Sequence, residues 1–346
     1  MIAADLVFGA LRNPARLPEL APADWNALIR VARAERLLGS VAALAEAANV
    51  WDALPVAARG VLTDELAHVA WDQLRARWEI DRARHALAGL GAPVLLLKGS
   101  AYLHAGLPPA RGRRIGDLDI LVPRAALGDA EALLKKAGWQ GVKDDPYDDR
   151  YYREWMHEIP PLVHKERGGV IDVHHTILPL TARLRPDAAA LIKSATVLPD
   201  GLRVLGPAEM VLHAAAHLAY DGEFDGGARN LWDIVQLIEH FADDDFWRSI
   251  ESAAHRHQLT GPLARSLRLA RELYGLDSHA SLRGRADLVD WLALRKIRSR
   301  DAFGIEQARG SRRLLYMRGH WLRMPPFMLA RHLVRKWWVR RGKAHP

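Results

Sequence analysis

Three aspartates carry the chemistry that this sequence suggests most directly. Asp117 and Asp119 stand two apart in the apolar run Asp117-Leu118-Asp119-Ile120-Leu121-Val122, which stops at Pro123. Asp172 sits in a second run, Gly169-Val170-Ile171-Asp172-Val173-His174. Both runs read as short buried strands. Residues two apart in a strand face the same way, so Asp117 and Asp119 project together. Burying two carboxylates side by side is costly unless a cation offsets their repulsion. A divalent ion does so, and Asp172 from a neighbouring strand would complete an oxygen-rich site for one or two Mg2+ or Mn2+ ions. Magnesium is held by a few carboxylates together with the phosphates of a substrate. Paired ions about 3.5–4 Å apart clamp the attacking and leaving oxygens of an in-line displacement.

A third apolar run, Pro93-Val94-Leu95-Leu96-Leu97, breaks at Lys98-Gly99-Ser100. The break reads as a strand turning into a helix, where a glycine permits close backbone approach and free N–H groups favour anions. Lys98 could neutralise phosphate there or simply extend its stem along apolar surface. Arg113 and Arg114 lie four and three residues before Asp117. A fixed cation in that loop could pair the carboxylates or bind phosphate, while the rest of Arg111, Arg113 and Arg114 reads as a solvated loop. His174, two residues after Asp172, shares its face. Arg114 and His174 are therefore accessory candidates.

Taken in order, the strings LLLKGSAYL, RRIGDLDILV and VIDVHH resemble a bacterial family of uncharacterised nucleotidyltransferases, the fifth NTP-transferase grouping of the DNA polymerase beta-type superfamily. The likeness spans roughly residues 90–240. It implies Mg2+- or Mn2+-dependent transfer of an NMP from an NTP, ATP being the first expectation, with release of pyrophosphate. In that pattern Asp117, Asp119 and Asp172 are catalytic and hold the metal. Lys98, Gly99, Ser100 and Arg113 bind the nucleotide, the serine hydroxyl helping to hold the triphosphate. The acceptor stays open among small molecules, peptides, proteins and RNA. Two other readings also stay open: a non-catalytic nucleotide- or RNA-binding module, and an antitoxin-like protein acting on a partner.

The resemblance and the residue pattern together predict an α+β chain. A small mixed-sheet core over residues 89–206 would be flanked by an N-terminal helical region, 1–88, and a C-terminal helical domain, 207–346. Ala23-Asp24-Trp25 gives a cap-like helix start, and Pro55 opens a second helical stretch, with interruptions, towards Leu87. Pro123 to Ala137 reads as a helix closed by Gly138, Asp144 to Asp149 as a turn or mobile loop, and Leu162-Val163-His164 with Gly168-Gly169 as a hairpin into the Asp172 strand. Pro207 suits a first helical position, and Asn230 to Phe241 forms another helix, with Arg229 and Asp233 spaced as an ordinary helix ion pair. His213 and His217 share a helix face at a spacing used by zinc sites. No HExxH glutamate lies between them, which favours a structural or pocket role.

Composition narrows the classes further. The 346 residues include no cysteine, which excludes disulfides, thiolate metal sites and a cysteine nucleophile. No apolar run is long enough to span a membrane, and the opening residues lack a leader pattern, so a cytoplasmic protein is expected. The net charge of +8 is a property of the tail: residues 309–346 hold eleven Lys and Arg and no acidic residue. From Pro326 a basic amphipathic helix is expected, docking through Leu333, Val334 and Trp337 and offering its basic face for polyanion contact.

Overall fold

The computed structural model describes residues 2–142, 146–220, 222 and 224–323. The basic helix expected from Pro326 lies outside the described residues, as do Asp144 and Asp145 of the expected turn.

The α+β expectation holds. Seven strands among the described residues form one mixed sheet in the order β3-β4-β5-β2-β1-β7-β6. They are β1 (Leu95–Leu96), β2 (Leu118–Leu121), β3 (Trp139–Gly141), β4 (Leu162–His164), β5 (Val170–His174), β6 (Thr196–Val197) and β7 (Arg203–Val204). β2 lies at the centre, antiparallel to β1 and parallel to β5, with Asp119 in register with Asp172. The hairpin β4-β5 forms as the Gly168-Gly169 signal predicts, with Gly168 in the left-handed region at φ 67°. Leu95, Leu96, Ile120, Leu121, Ile171 and Val173 are fully buried, because the sheet is covered by helices.

Helices make up the rest. Pro22–Ala34 and Leu38–Ala47 follow the cap-like start, and Val56–Ala86 is one unbroken helix of 31 residues. The expected interruptions are absent there because the segment is rich in Ala, Leu, Arg and Glu and holds no interior proline. After the sheet, Pro207–Tyr220 packs against Gly227–Phe241. A single apolar core joins all parts, from Leu28 and Leu62 through Leu96 and Val173 to Leu212 and Ile234.

One expectation is corrected. Over its described residues, from Pro146 on, the expected turn gives way to a helix, Pro146–Trp155. Proline fits its first position, and two pairs four apart support it, Arg153 on Asp149 at 2.8 Å and Arg150 on Glu154 at 2.9 Å. Arg153 also forks onto Glu131 at 2.8 and 2.9 Å, which ties this helix to Leu127–Lys136.

Candidate active site

The strand-to-helix turn after β1 sets the first group. Lys98 opens the short helix Lys98–His104 with φ 47°, a left-handed conformation that a side-chain-bearing residue rarely adopts. From there its Nζ donates to Asp119 Oδ1 at 2.7 Å. The peptide N–H of Leu97 donates to the Asp119 carbonyl at 3.0 Å, so both backbone and side chain of the turn are fixed to β2. His174 Nε2 donates to the same Asp119 oxygen at 3.0 Å from the end of β5. Burial alone would raise the Asp119 pKa, yet Lys98 and His174 outweigh it and hold the carboxyl well below its ordinary value. For Lys98, burial opposes the charge, and the Asp119 carboxylate beside it leaves the pKa raised.

Asp117 lies just ahead of β2 and is exposed. Its position is controlled by Ser100, whose hydroxyl donates to the Asp117 carbonyl at 3.3 Å. The loop leading to it is docked on the N-terminal helices. Gln73 Nε2 donates to the carbonyls of Ala110 at 2.7 Å and Arg113 at 3.1 Å. Gly112, at φ 65°, lies so close to Gly39 that a β-carbon on it would come within 2.1 Å of the Gly39 carbonyl oxygen. Arg114 turns outward to Asp72 on the Val56–Ala86 helix, Nε to Oδ2 at 2.7 Å.

Asp172 faces Asp119 across one parallel register step, about 4.8 Å between strands. Its Oδ1 is buried with no hydrogen-bond partner. Burial, then the charges of Asp119 and Glu158, push its pKa up to about 7. An orphaned carboxylate oxygen beside a second carboxylate, with Asp117 two residues from Asp119, suits a hard divalent cation. In donor chemistry the three aspartates suit Mg2+ or Mn2+, while in this structure their carboxylate oxygens do not gather within 4.8 Å of one another as a single group.

Beside Asp117 and Asp119 opens a cleft of about 760 Å3, lined also by Lys98, Gly99, Arg113, His217 and Arg229; Asp172 and Ser100 do not line it. Arg113 lies across Gly99, where a β-carbon would come within 2.9 Å of its Nε. Asp233 anchors it by ion pairing with Arg113 Nη1. The same Asp233 takes Arg229 Nη2 at 3.0 Å, the pair expected along the helix, and Arg229 also donates to Ser40 Oγ at 2.5 Å and to the Pro109 carbonyl at 2.8 Å. Burial lowers the Arg229 pKa to about 10. Asp233 thus links the C-terminal helices to the loop before β2, a role its sequence position does not reveal.

Two groups escaped the sequence reading. Glu158 pairs through a single antiparallel bridge with His174, and His157 precedes it. The adjacent His-Glu pair before Pro160 was the available signal, but nothing in the spacing placed it beside β5. Of the two α-helical histidines, His217 lines the cleft and contacts Asn230, Nδ1 to Nδ2 at 3.3 Å, while His213 is buried. Burial, then Lys98, lowers the His217 pKa to about 3, and burial holds His213 well below its ordinary value too.

Residues 21–275 match the family described as uncharacterised nucleotidyltransferase. The chain belongs to this family. The match reaches beyond the 90–240 span of the motifs. It takes in the helices that carry Gly39 and Gln73 before the sheet, and those that carry His217 and Asp233 after it. The family's extent thus includes the elements that buttress the cleft of this nucleotidyltransferase. No curated protein matches the chain. Among the described residues no helix is long and apolar enough to cross a membrane.

Proposed function

We propose that this nucleotidyltransferase moves an NMP from an NTP to an acceptor hydroxyl in a Mg2+- or Mn2+-dependent reaction. The observation that carries the reading is the register pair Asp119 and Asp172, with a buried, unpartnered Asp172 oxygen. Asp117, Asp119 and Asp172 would hold the ion or ions. When bound, such an ion offsets charge on the triphosphate and lowers the pKa of an acceptor hydroxyl. Lys98 and Arg113, on the cleft wall, would bind phosphate oxygens, Gly99 leaving room for the Arg113 guanidinium beside the backbone. Ser100 would act by positioning Asp117. Asp172 would take the acceptor proton as the acceptor oxygen bonds to the α-phosphorus and the bond to the departing pyrophosphate breaks. Arg114 and His174 would steady the loop and the Asp119 carboxylate. ATP is the first donor to test.

The test is incubation of the protein with each NTP labelled at the α-phosphate, Mg2+ and cell extract, followed by separation of protein, RNA and small-molecule pools. Label transferred to one pool with matching pyrophosphate release, lost in Asp119→Asn, is the expected result. Binding of NTP without pyrophosphate release from any pool would overturn it.

A second reading has its own observation. Lys98 already neutralises Asp119, as a site with no need of a metal would arrange. A non-catalytic nucleotide-binding module would then bind NTP equally well in excess chelator. The enzyme would lose that binding.

A further inference from the structure

The His174 ring has two sides, and only one of them faces the aspartates. Its Nε2 is committed to Asp119 at 3.0 Å. An ionised carboxylate can only accept, so Nε2 carries a proton towards Asp119. The other ring nitrogen, Nδ1, points to Glu158, with Oε2 3.4 Å away. His157 completes the group, its Nε2 standing 3.8 Å from the same glutamate oxygen. One donor atom from each of the three residues lies within 4.8 Å of the others.

The backbone builds this arrangement deliberately close. Ile159 N–H donates to the Val173 carbonyl at 3.1 Å, and His175 N–H donates to the His157 carbonyl at 2.8 Å. The segment 157–159 is therefore laid as an extra bridge along the end of β5. The pairing aims His174 Nδ1 and His157 Nε2 at one glutamate oxygen. A lone pair on imidazole nitrogen facing a carboxylate oxygen is repulsive unless a cation or a proton sits between them. The side-chain separations are long for hydrogen bonds. They are close to the donor-to-donor edge of about 3.3 Å around a tetrahedral ion with bonds of 2.0–2.1 Å. His157 Nδ1, meanwhile, is buried with no hydrogen-bond partner, and among the described residues no Lys or Arg forms an ion pair with Glu158.

We propose that His157, Glu158 and His174 form a binding site for a zinc-class transition-metal ion, separate from the three-aspartate site. Two imidazole nitrogens and one carboxylate suit Zn2+ and its neighbours better than Mg2+, which prefers oxygen donors. The hydrogen bond from His174 to Asp119 is then the outer carboxylate that fixes the tautomer and orientation of a metal-bound histidine. One imidazole would connect the two centres, so that occupancy of the transition-metal site stiffens the position of Asp119.

The probe is Co2+ added to chelator-stripped full-length protein, followed by visible absorption and by competition with Zn2+. One equivalent with the intense d–d bands of a four- or five-coordinate ion is expected. The Asp117→Asn/Asp172→Asn double variant should keep that signal, since it spares all three proposed ligands. His157→Asn and Glu158→Gln should each weaken Co2+ and Zn2+ binding by at least the roughly 10–100-fold that loss of an outer-shell partner costs. Their metal-free unfolding midpoints, measured alongside, separate ligand loss from misfolding: a variant that remains cooperatively folded yet loses the ion supports the site. Binding that follows the aspartates, binding that neither His157→Asn nor Glu158→Gln weakens, or no stoichiometric binding would each overturn it. The last result would leave a proton between His174 and Glu158. Because the aspartate variants are read separately, failure here leaves the nucleotidyl-transfer reading standing, and failure of that reading leaves this site intact.

Discussion

Lys98 Nζ donates to Asp119 Oδ1 at 2.7 Å, so the carboxylate at the centre of the aspartate trio already carries a cation. Breaking a fully buried pair from one side costs about 3–5 kcal/mol. The Lys98 side chain is 26 % exposed, and water screens part of that. Lys98→Met is expected to lower stability by about 2 kcal/mol in metal-free buffer. Adding Asp119→Asn should restore most of the loss, because no unpaired charge then remains. A double-mutant cycle by urea denaturation reads this coupling, and purely additive losses would show that the pair contributes nothing. Mg2+ should raise the melting temperature of Lys98→Met more than that of the wild type, since the ion replaces the missing ammonium.

The two facing aspartates should separate stability from activity. Asp119→Asn removes the anionic partner of both Lys98 and His174, so it should destabilise the fold and abolish transfer. Asp172→Asn removes a group whose ionisation burial disfavours and whose Oδ1 has no partner. Its stability should therefore stay within about 0.5 kcal/mol of wild type or rise, while transfer is lost. Calorimetric melting beside a pyrophosphate-release assay distinguishes the two. Equal destabilisation by both would contradict the electrostatic account.

Contact between two glycines should matter as much as the aspartates' own neighbours. Gly112→Ala puts a β-carbon 2.1 Å from the Gly39 carbonyl oxygen at a φ of 65°. The substitution is expected to cost about 2 kcal/mol or more, and to reduce turnover by displacing the loop that ends at Asp117. Gly128→Ala, with open space around it in the helix Leu127–Lys136, is the control and should be neutral or slightly stabilising. An unperturbed Gly112→Ala protein with full activity would remove the loop from the machinery.

Acid should unfold the protein through its buried histidines. His213 is held well below its ordinary value, and His217 at about 3, so both stay neutral in the folded chain below pH 6.5. The unfolded chain takes up their protons there, and stability must fall as the pH drops. The slope is up to about 1.4 kcal/mol per pH unit for each histidine between the two pKa values. Above pH 7 their contribution is flat. His217→Gln should make the acid limb shallower between pH 6 and 4 in urea titrations. An unchanged slope would mean that His217 is not held neutral in the folded chain.

How much of this was written in the sequence follows from the range of each interaction. Alternation over two residues is local, so the three strand runs and the hairpin at Gly168-Gly169 were legible from neighbouring residues, whereas Asp117 proved to lie just outside β2, exposed where Asp119 is buried. Prolines at helix starts and the four-residue spacing of Arg229 and Asp233 are local in the same sense. The family, too, was legible, because its motifs are short strings in fixed order. Pairings between distant segments were not. Nothing near residue 119 states that its strand lies parallel to residue 172, nor that Lys98 turns back on it rather than towards solvent. The Arg113–Asp233 pair spans 120 residues, and Gly39 of the helix Leu38–Ala47 meets Gly112 of the loop before β2 from far along the chain. Likewise His157 and Glu158 became part of a site only when the chain laid them along the end of β5. Local propensity and periodicity select the elements, whereas burial of their apolar faces against one common core selects which elements touch. That second choice gave the aspartates their neighbours.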